Sequence, residues 1–552
     1  MSGPLSELRD AVVAASGAVA GSDGATAAVP TLERSKQAGF GDYATNAAML
    51  LAPKAGAAPR EVAGRLAEEL AQRLGPALER VEVAGPGFLN LFLSDVWYVG
   101  ALAHVLSAGD AFGGGGAEPA ERIDVEFVSA NPTGPMTAAG GRHAAYGDSL
   151  ARLLEFSGHD VTREYYINDI GGQVRRLGES IQARARGEDV PEGGYEGDYV
   201  RELAEQVPNA SGDDVAVVAE RGVELVLGWI RASMRRIGVE FDVWFSEGSL
   251  HAGEPSAVQR AFEQLAARGE SYRSEGALWL RTSTHGQPKD EVLERSTGEP
   301  SYFASDIAYH LDKLARGFDR LIDVWGADHH GHVARMHAAL EALGASTDAV
   351  ELIIMQFVNL VERGERASMS KRRGDFVRLD DLIDHIGADA ARFFMLQRSH
   401  DTTVDLDLDL AREQTSENPV YYVQYAHARI ASILRKAGGG PRVQEALEEA
   451  AGFRGALQPA ERALVKKLLA FPDEVAEATE RRAPHRIAAY ALELAQTFSA
   501  FYRDCQVVGA EGAGTESLRL ALSVATKRTT ARALHLLGVG APEQMTREPQ
   551  AS

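Results

Sequence analysis

The sequence predicts an α/β protein built around a nucleotide-binding sheet, with a smaller α/β unit before it and an all-helical part after it. Three observations carry this expectation. Residues 122–169, RIDVEFVSANPTGPMTAAGGRHAAYGDSLARLLEFSGHDVTREYYIND, read as strand, tight polar turn, helix and strand, the unit that binds nucleotides in α/β proteins. Residues 320–344, RLIDVWGADHHGHVARMHAALEALG, repeat strand, turn and helix, and ELIIMQFVNL follows as a further buried strand. From about residue 378 onward the apolar spacing is helical almost throughout.

A chain of 552 residues is long for one core and should divide into domains. With 45% apolar and 25% charged residues it is an ordinary globular protein, and no window of about 18 apolar residues suggests a membrane span. The N-terminal MSGPLSELRDAVVAASGAVAG has an acid in its apolar stretch and no basic lead, so it reads as a first helix rather than a secretion signal. The one cysteine, Cys505, excludes an internal disulfide and a Cys-based zinc site, and a cytoplasmic location follows. A formal charge of -22 argues against a general polyanion binder. It leaves room for RNA recognition through local basic patches and shape.

Residues 1–110 are expected as an N-terminal unit. Pro59 opens PREVAGRLAEELAQRLG, where Val62, Leu66 and Leu70 recur on one helical face. VEVAGPGFLNLFLS then alternates like a hairpin around Pro86-Gly87, and Gly113 to Gly116 with Ala117-Glu118-Pro119 reads as a linker. The nucleotide-binding domain is expected over 120–377. Its first strand, around Val125 and Phe127, ends at Ser129 and is stopped by Asn131-Pro132-Thr133-Gly134-Pro135. The next helix carries Ala145, Leu150, Leu153 and Leu154 on one face. Residues from about 185 to 285, charged and interrupted by glycine, are expected as an insertion, and 378–552 as the helical part.

Small and polar residues at the carboxyl end of a strand, before a helix N-terminus, are where α/β sheets hold phosphates, and Ser129 to Pro135 supplies them. Tyr302 and Asp306 are four apart at a helical start and share a face. His329, His330 and His332 crowd one strand-to-helix turn. Adjacent imidazoles diverge, and neither a Cys nor a clear carboxylate completes a ligand set, so no metal site is expected there. Ser368 to Asp375, SMSKRRGD, is a basic loop after the third sheet segment.

Together these segments resemble the arginyl-tRNA synthetases, a class I aminoacyl-tRNA synthetase family, from Gly41-Asp42-Tyr43 to ARALHLLGVGAPEQM near the C-terminus. SMSKRRGD is similar to the Lys-Met-Ser-Lys-Ser loop of that class, with Ser368 at the first lysine and Lys371 at the second. The resemblance implies a class I Rossmann-like catalytic domain, an N-terminal α/β domain that contacts tRNA, and a C-terminal all-helical anticodon-binding domain. It implies condensation of L-arginine with ATP to an adenylate, then transfer to the terminal ribose of the tRNA, with Mg²⁺ as the companion of ATP. The substrate carboxylate attacks the α-phosphate, so no side-chain nucleophile is needed and catalysis is positioning and charge stabilisation. The expected partners are tRNA, L-arginine and ATP, with no membrane, and the expected state is a monomer.

By the same resemblance Glu126, Ser129, Asn131 and Asp328 contact arginine, while Asp306, with Tyr302 beside it, meets the planar guanidinium bidentately. ATP falls to Pro135, Gly140, Gly141, Gly326, His329, Met369 and Ser370, and Lys371 stabilises charge as pyrophosphate leaves. Phe88 and Asn90 are expected against the tRNA elbow, and Tyr502 and Arg503 against the anticodon loop. Tyr421, Tyr422 and Tyr425, at helical spacing, read as packing.

At one place the chain departs from the family. Where the family carries a His-x-Gly-His box after the Pro-Thr-Gly-Pro turn, this chain has Thr137-Ala138-Ala139-Gly140. Thr137 offers one hydroxyl, and Ala138 and Ala139 offer no side-chain donor. The expected replacements are Thr137, Arg142 and the backbone N–H groups at the helix start, with His143 next in sequence. Arg142 leads, because a guanidinium can fork across phosphate oxygens. Two readings stay open: a working synthetase with a rebuilt ATP site, or a catalytically impaired relative that binds tRNA or arginine for another purpose. Retention of Lys371, Asp306 and Asn131 favours the first.

Overall fold

The computed structural model describes residues 3–20, 30–35, 39–366 and 377–545. In the N-terminal unit the helix Pro59–Leu74 starts on its proline, where a missing N–H leaves nothing unsatisfied. Val62, Leu66 and Leu70 are fully buried, as their spacing predicts. Strands Leu78–Ala84 and Phe88–Leu93 pair antiparallel across the Pro86-Gly87 turn, and Tyr43–Thr45 pairs on the other side of the second. Phe88–Leu93 is therefore an inner strand, and Asn90 is buried with Leu89 and Leu91, at 5% exposure. That withdraws Asn90 from the tRNA surface on which the sequence placed it. Phe88, at the strand's start, is 40% exposed.

The first two glycines of the run after this unit are packed rather than loose. A side chain at Gly113 would strike the ring of Phe471, and one at Gly114 the backbone and ring of Phe156. Only glycine permits that approach.

Five parallel strands form the central sheet in the order Val350–Met355, Arg320–Gly326, Arg122–Glu126, Asp160–Ile167, Val243–Ser246. The chain works outward from Arg122–Glu126 on one side, then crosses to build the other. The switch point lies between the carboxyl ends of Arg122–Glu126 and Arg320–Gly326, the crevice where such sheets bind ligands.

Two sequence expectations are corrected here. The stretch 185–285 is not one insertion, because the edge strand Val243–Ser246 lies inside it. Helices Gly172–Arg186, Asp198–Gln206 and Val215–Arg236 precede that strand; the helix Ala257–Ala267 and a small antiparallel sheet over Ser271–Ser274, Ala277–Leu280 and Glu291–Glu294 follow it. A four-residue strand, half-buried at every position, has no periodicity to read. ELIIMQFVNL is likewise two strands. Val350–Met355 closes the parallel sheet, and after a break at Gln356-Phe357, Val358–Glu362 pairs with Val404–Asp407 and Glu365–Arg366 in a separate sheet. Apart from Val404–Asp407, the described elements from residue 379 onward are helices.

The helix Ala138–Ser157 runs through the middle of the molecule and is buried on nearly every side. Thr137 caps it, accepting the Gly140 N–H at 3.2 Å. Ala145, Leu150, Leu153 and Leu154 are buried, but so are Arg142, Asp148 and Ser149, because C-terminal helices cover the face away from the sheet. Asp148 accepts from Arg392 at 2.5 Å, and Arg392 also donates to the carbonyls of Leu537 at 2.8 Å and Ile237 at 2.9 Å. Burial works against a charged Asp148, yet Arg392, Arg152 and Arg163 outweigh it and hold the carboxyl below its usual range. Asp148→Ala strands the Arg392 charge and is expected to cost about 3–5 kcal/mol. Thermal unfolding checks it: the double variant Asp148→Ala/Arg392→Met should lose less than Asp148→Ala alone.

Candidate active site

At the switch point the sheet opens into a cavity of about 610 Å³. Past the first strand, Val128 and Ser129 take positive φ values of 70° and 36°, a strained turn. The turn folds Ser129 back, so its hydroxyl donates to Glu126 Oε1 at 2.8 Å and accepts the Tyr166 N–H at 3.1 Å. Glu126 Oε2 accepts from Lys313 Nζ at 2.5 Å. Lys313 is fully buried on the helix Tyr302–Ala315; it also donates to Asp323 Oδ1 at 2.8 Å and lies 3.4 Å from Asp124. One ammonium is thus enclosed by three carboxylates from the two strands that flank the switch point. Both oxygens of Glu126 are taken, which makes it a support for Ser129 rather than an open ligand.

The charges in this floor are unequal. Burial opposes a charged Lys313, but Asp323, Glu126 and Asp124 hold its pKa well above the usual value. Burial would raise Asp323, yet Lys313 and His310 hold it down at about 2. Asp124 is left over: burial above all, with Glu164, Asp323 and Glu126 behind it, pushes it up to about 7 against Lys313. Neither of its oxygens has a hydrogen-bond partner.

On one wall Asn131 Nδ2 donates to Gln173 Oε1 at 3.0 Å. On another, Asp306 accepts from His332 Nε2 at 2.8 Å. Tyr302, one turn before Asp306, is 55% exposed with its hydroxyl beside Gly171 and does not line the cavity. Behind the wall lies a carboxylate that the sequence reading missed. Glu247 is buried, hydrogen-bonded by Ser305 and Tyr166, and pushed up to about 7 by burial first and by Asp306 after it. The signal was its place at the carboxyl end of a sheet strand, concealed because that strand was read as insertion. Gly326, Asp328 and His329 form the wall at the end of Arg320–Gly326. Of the imidazoles there, His332 turns to Asp306, while His329 lies 3.1 Å from Asp328.

Thr137, Ala139 and Gly140 line the cavity. The Ala138 N–H donates to the Val377 carbonyl at 3.0 Å and the Leu379 N–H to the Met136 carbonyl at 2.8 Å, so the chain returning from 367–376 lies against this turn. Met369, Ser370 and Lys371 themselves lie outside the described residues.

Three residues expected at ATP are placed elsewhere. Pro135 is buried within the turn and does not reach the cavity wall. Gly141 faces Leu379 and Met395. Arg142, 2% exposed, points away from the cavity. Its Nη1 donates to the carbonyls of Gln356 at 2.6 Å and Phe357 at 2.8 Å, and its Nη2 to Ser399 at 3.0 Å and Thr402 at 2.7 Å. A fork spent on four backbone oxygens has no reach to a phosphate.

His143 is the neighbour that does line the cavity, because it lies three residues from Gly140 on the same helical face. Its ring is hydrogen-bonded to the Val324 carbonyl, and its Nδ1 is shielded without a partner. Burial, with Arg142 adding to it, pushes its pKa down to about 4, so the imidazole is neutral.

A second cavity, of about 810 Å³, opens in the helical part between Tyr425, Arg429, Arg435, Lys436, Tyr502 and Met545. Tyr502 is 42% exposed, with the Arg429 guanidinium 5.3 Å from its ring centre. Tyr421 and Tyr425 stack at 5.9 Å between ring centres and are half-buried. Tyr422 donates to Ser499 at 3.0 Å. Arg503 lies outside this cavity with its fork on Asp504, at 2.7 and 3.0 Å. The cations at the cavity are Arg429, Arg435 and Lys436 instead.

Comparison with known proteins covers both cavities. Residues 6–93 match the arginyl tRNA synthetase N terminal domain, residues 102–189 and 199–433 the catalytic domain of the class I (R) tRNA synthetases, and residues 423–545 the DALR anticodon binding domain. The chain belongs to the arginyl-tRNA synthetase family. The arginine–tRNA ligase of Desulforudis audaxviator is 45% identical over 98% of this chain and 97% of its own length. That of Carboxydothermus hydrogenoformans is 43% identical over 93% of this chain and 94% of its own. The arginyl-tRNA synthetase of Thermus thermophilus superposes with a TM-score of 0.72 at 25% identity, covering 98% of this chain and 99% of that one. The three-part architecture is thus that of the family: N-terminal domain, class I catalytic domain on a parallel sheet, helical anticodon-binding domain.

The floor makes a pH prediction. Asp124 keeps its proton up to about pH 7 in the fold, whereas an unfolded aspartate loses it near its usual value of 3.8. Ionising it in place therefore costs stability that accrues from about pH 4 to pH 7, at about 1.4 kcal/mol per pKa unit. Asp124→Asn is expected to stabilise the protein by about 2–4 kcal/mol at pH 8 and by clearly less at pH 5.5. Melting temperatures at the two pH values check it, and a gain independent of pH would place the Asp124 charge outside this account.

Proposed function

We propose that this chain ligates L-arginine to its tRNA through an arginyl-adenylate made in the switch-point cavity. The pairing of Asp306 with Glu247 carries the reading. Glu247 is buried and faces Asp306 and Asp169 rather than a cation. A guanidinium supplies the missing positive charge, and its planar donors suit a carboxylate at the wall. Asp306 takes the fork and Glu247 adds field from behind. Ser129, held by Glu126, works with Asn131 and Gln173 on the main-chain end of arginine.

ATP lies between Gly140 on one side and Gly326, Asp328 and His329 on the other. Asp328 is exposed at that wall and is an oxygen donor of the type Mg²⁺ takes, so it fits an ion held chiefly by the ATP phosphates. Thr137 retains a hydroxyl proton to donate, since only its oxygen is used in capping Gly140. His143 is the imidazole that this altered box offers at the wall, and Lys371 meets the departing pyrophosphate. Phe88 contacts the tRNA elbow, while Tyr502, Tyr425 and the cations beside them take the anticodon loop. The enzyme acts as a cytoplasmic monomer. A catalytically impaired relative, the reading that Ala138 to Gly140 favours, would bind arginine and tRNA without joining them. Purified protein with arginine, ATP and tRNA is expected to charge; well-folded protein that does not would overturn the proposal.

Three outcomes follow from the geometry. Asp306→Ala should raise the arginine KM about 100-fold or more, as for removal of one partner of a buried charge pair, and leave the ATP KM nearly unchanged. Glu247, with its pKa near 7, binds a guanidinium best when ionised, so the arginine KM should fall as pH rises from 6 to 8. Glu247→Gln should flatten that dependence at a high KM, and a wild-type arginine KM constant over this range would remove Glu247 from the site. Tyr502→Ala should raise the tRNA KM about tenfold, the scale of one stacked base, without moving the arginine KM.

A further inference from the structure

We propose that Arg142 is a positioning residue for adenylation: without touching a substrate, its guanidinium fixes the turn carrying Thr137 and Gly140 against the seam where Gln356 and Phe357 meet Ser399 and Thr402. The inference rests on the switch-point cavity being the adenylation site.

All four carbonyls that Arg142 holds belong to one seam. Gln356 and Phe357 form the break between the parallel sheet and Val358–Glu362. Ser399 and Thr402 lie in the segment leading to Val404–Asp407, which pairs in parallel with Val358–Glu362. Direct backbone bonds close the same seam, from the Gln356 N–H to the His400 carbonyl at 2.8 Å and from the Val404 N–H to the Phe357 carbonyl at 3.0 Å. Val358–Glu362 continues to Glu365–Arg366, where the described chain stops, and the chain resumes at Val377, already bonded to Ala138. The segment 136–142 is therefore tied by backbone bonds to Val377 and Leu379, and by Arg142 to the start of the strand Val358–Glu362 that leads to Glu365–Arg366.

The chemistry is specific to a guanidinium. Two nitrogens each serve two carbonyls in one plane, which the single nitrogen of a lysine cannot reproduce. Burial without a carboxylate bond lowers the pKa only to about 10, so the cation persists at neutral pH and its field is met by carbonyl dipoles. Arg142 sits two residues beyond Gly140, in the first turns of a helix whose start is the cavity wall. Loosening it would shift Thr137, Gly140 and His143 together. A displacement of about 1 Å can cost about 100-fold in rate while leaving the contacts that set KM in place.

The test is a series, Arg142→Lys, Arg142→Gln and Arg142→Met, in the full-length protein. Adenylation is followed by pyrophosphate exchange with tRNA present, and folding by melting temperature. The expected result is a kcat lowered about 10- to 100-fold in Arg142→Met and less in Arg142→Lys and Arg142→Gln. The KM values for arginine and ATP and the inhibition constant for pyrophosphate should all stay within about twofold of wild type. The loss in Arg142→Lys should also be less than additive with Thr137→Ala, since both act through the same turn. Unchanged kcat in the folded variants would reduce Arg142 to a stabilising residue. A weakened ATP or pyrophosphate affinity at constant kcat would mean direct phosphate contact. Either overturns the proposal, and if Arg142→Met does not fold, Arg142→Lys and Arg142→Gln decide. An arginine KM unmoved by Asp306→Ala would instead refute the assignment of the cavity, whatever Arg142 does.

Discussion

Lys313 stands in the middle of three buried carboxylates, and the cavity above it takes its shape from that contact. Asp124 and Glu126 come from one strand at the switch point and Asp323 from its neighbour, so a single ammonium joins both strands to the helix that carries Asp306. Through Glu126 it fixes Ser129, and through Ser129 the backbone of Tyr166 on the next strand. Such a cluster is weak evidence for stability, because removing charges from water costs about as much as their attraction returns. Its value is geometric. Three acids that repel one another can share a dry floor only with a cation at the right point, and that requirement fixes the register of strand, strand and helix together.

In the proposed site, the altered box changes which atoms would face ATP. At the helix start the Ala138 N–H is spent on Val377 and the Gly140 N–H on the Thr137 oxygen, which leaves the Thr137 hydroxyl proton as the side-chain donor there. A lost donor to developing charge costs about 3 kcal/mol in comparable sites, so the remaining ones must be well placed. This helix is held along its length, by Arg142 near its start and by the Asp148–Arg392 pair further on. Rigidity of the support is the physical complement to a thinner set of side-chain donors.

Much of this was legible in the sequence. The strand–turn–helix units and the N-terminal helix with Val62, Leu66 and Leu70 follow from spacing and turn chemistry, whereas Asp306 was singled out by the resemblance to the family. What escaped was direction. Position 142 is two residues from 140 and so lies across the helix, whereas 143 shares the face, and helical geometry alone could have ranked His143 above Arg142. Asn90 escaped because its face of the strand is mixed, with Phe88 exposed, Asn90 buried and Phe92 half-buried, so alternation does not separate polar from apolar. Glu247 escaped because four half-buried residues do not announce a strand, and without the strand its carboxyl-end position has no meaning.

The glycine run at 113–116 shows how composition misleads about mechanics. By residue type it is a hinge; in the fold, Gly113 lies on the ring of Phe471 and Gly114 on the backbone of Phe156, so it works as a spacer clamped between the catalytic and helical parts. An engineer seeking a place to split this chain, insert a reporter or relocate its termini would choose this segment from the sequence and choose badly. A side chain at Gly113 or Gly114 would wedge the two parts apart, whereas one at Gly115 or Gly116 would meet nothing within 4 Å. The exposed turn at Gly298, where an added side chain would also meet nothing within 4 Å, is a better site than Gly113 or Gly114.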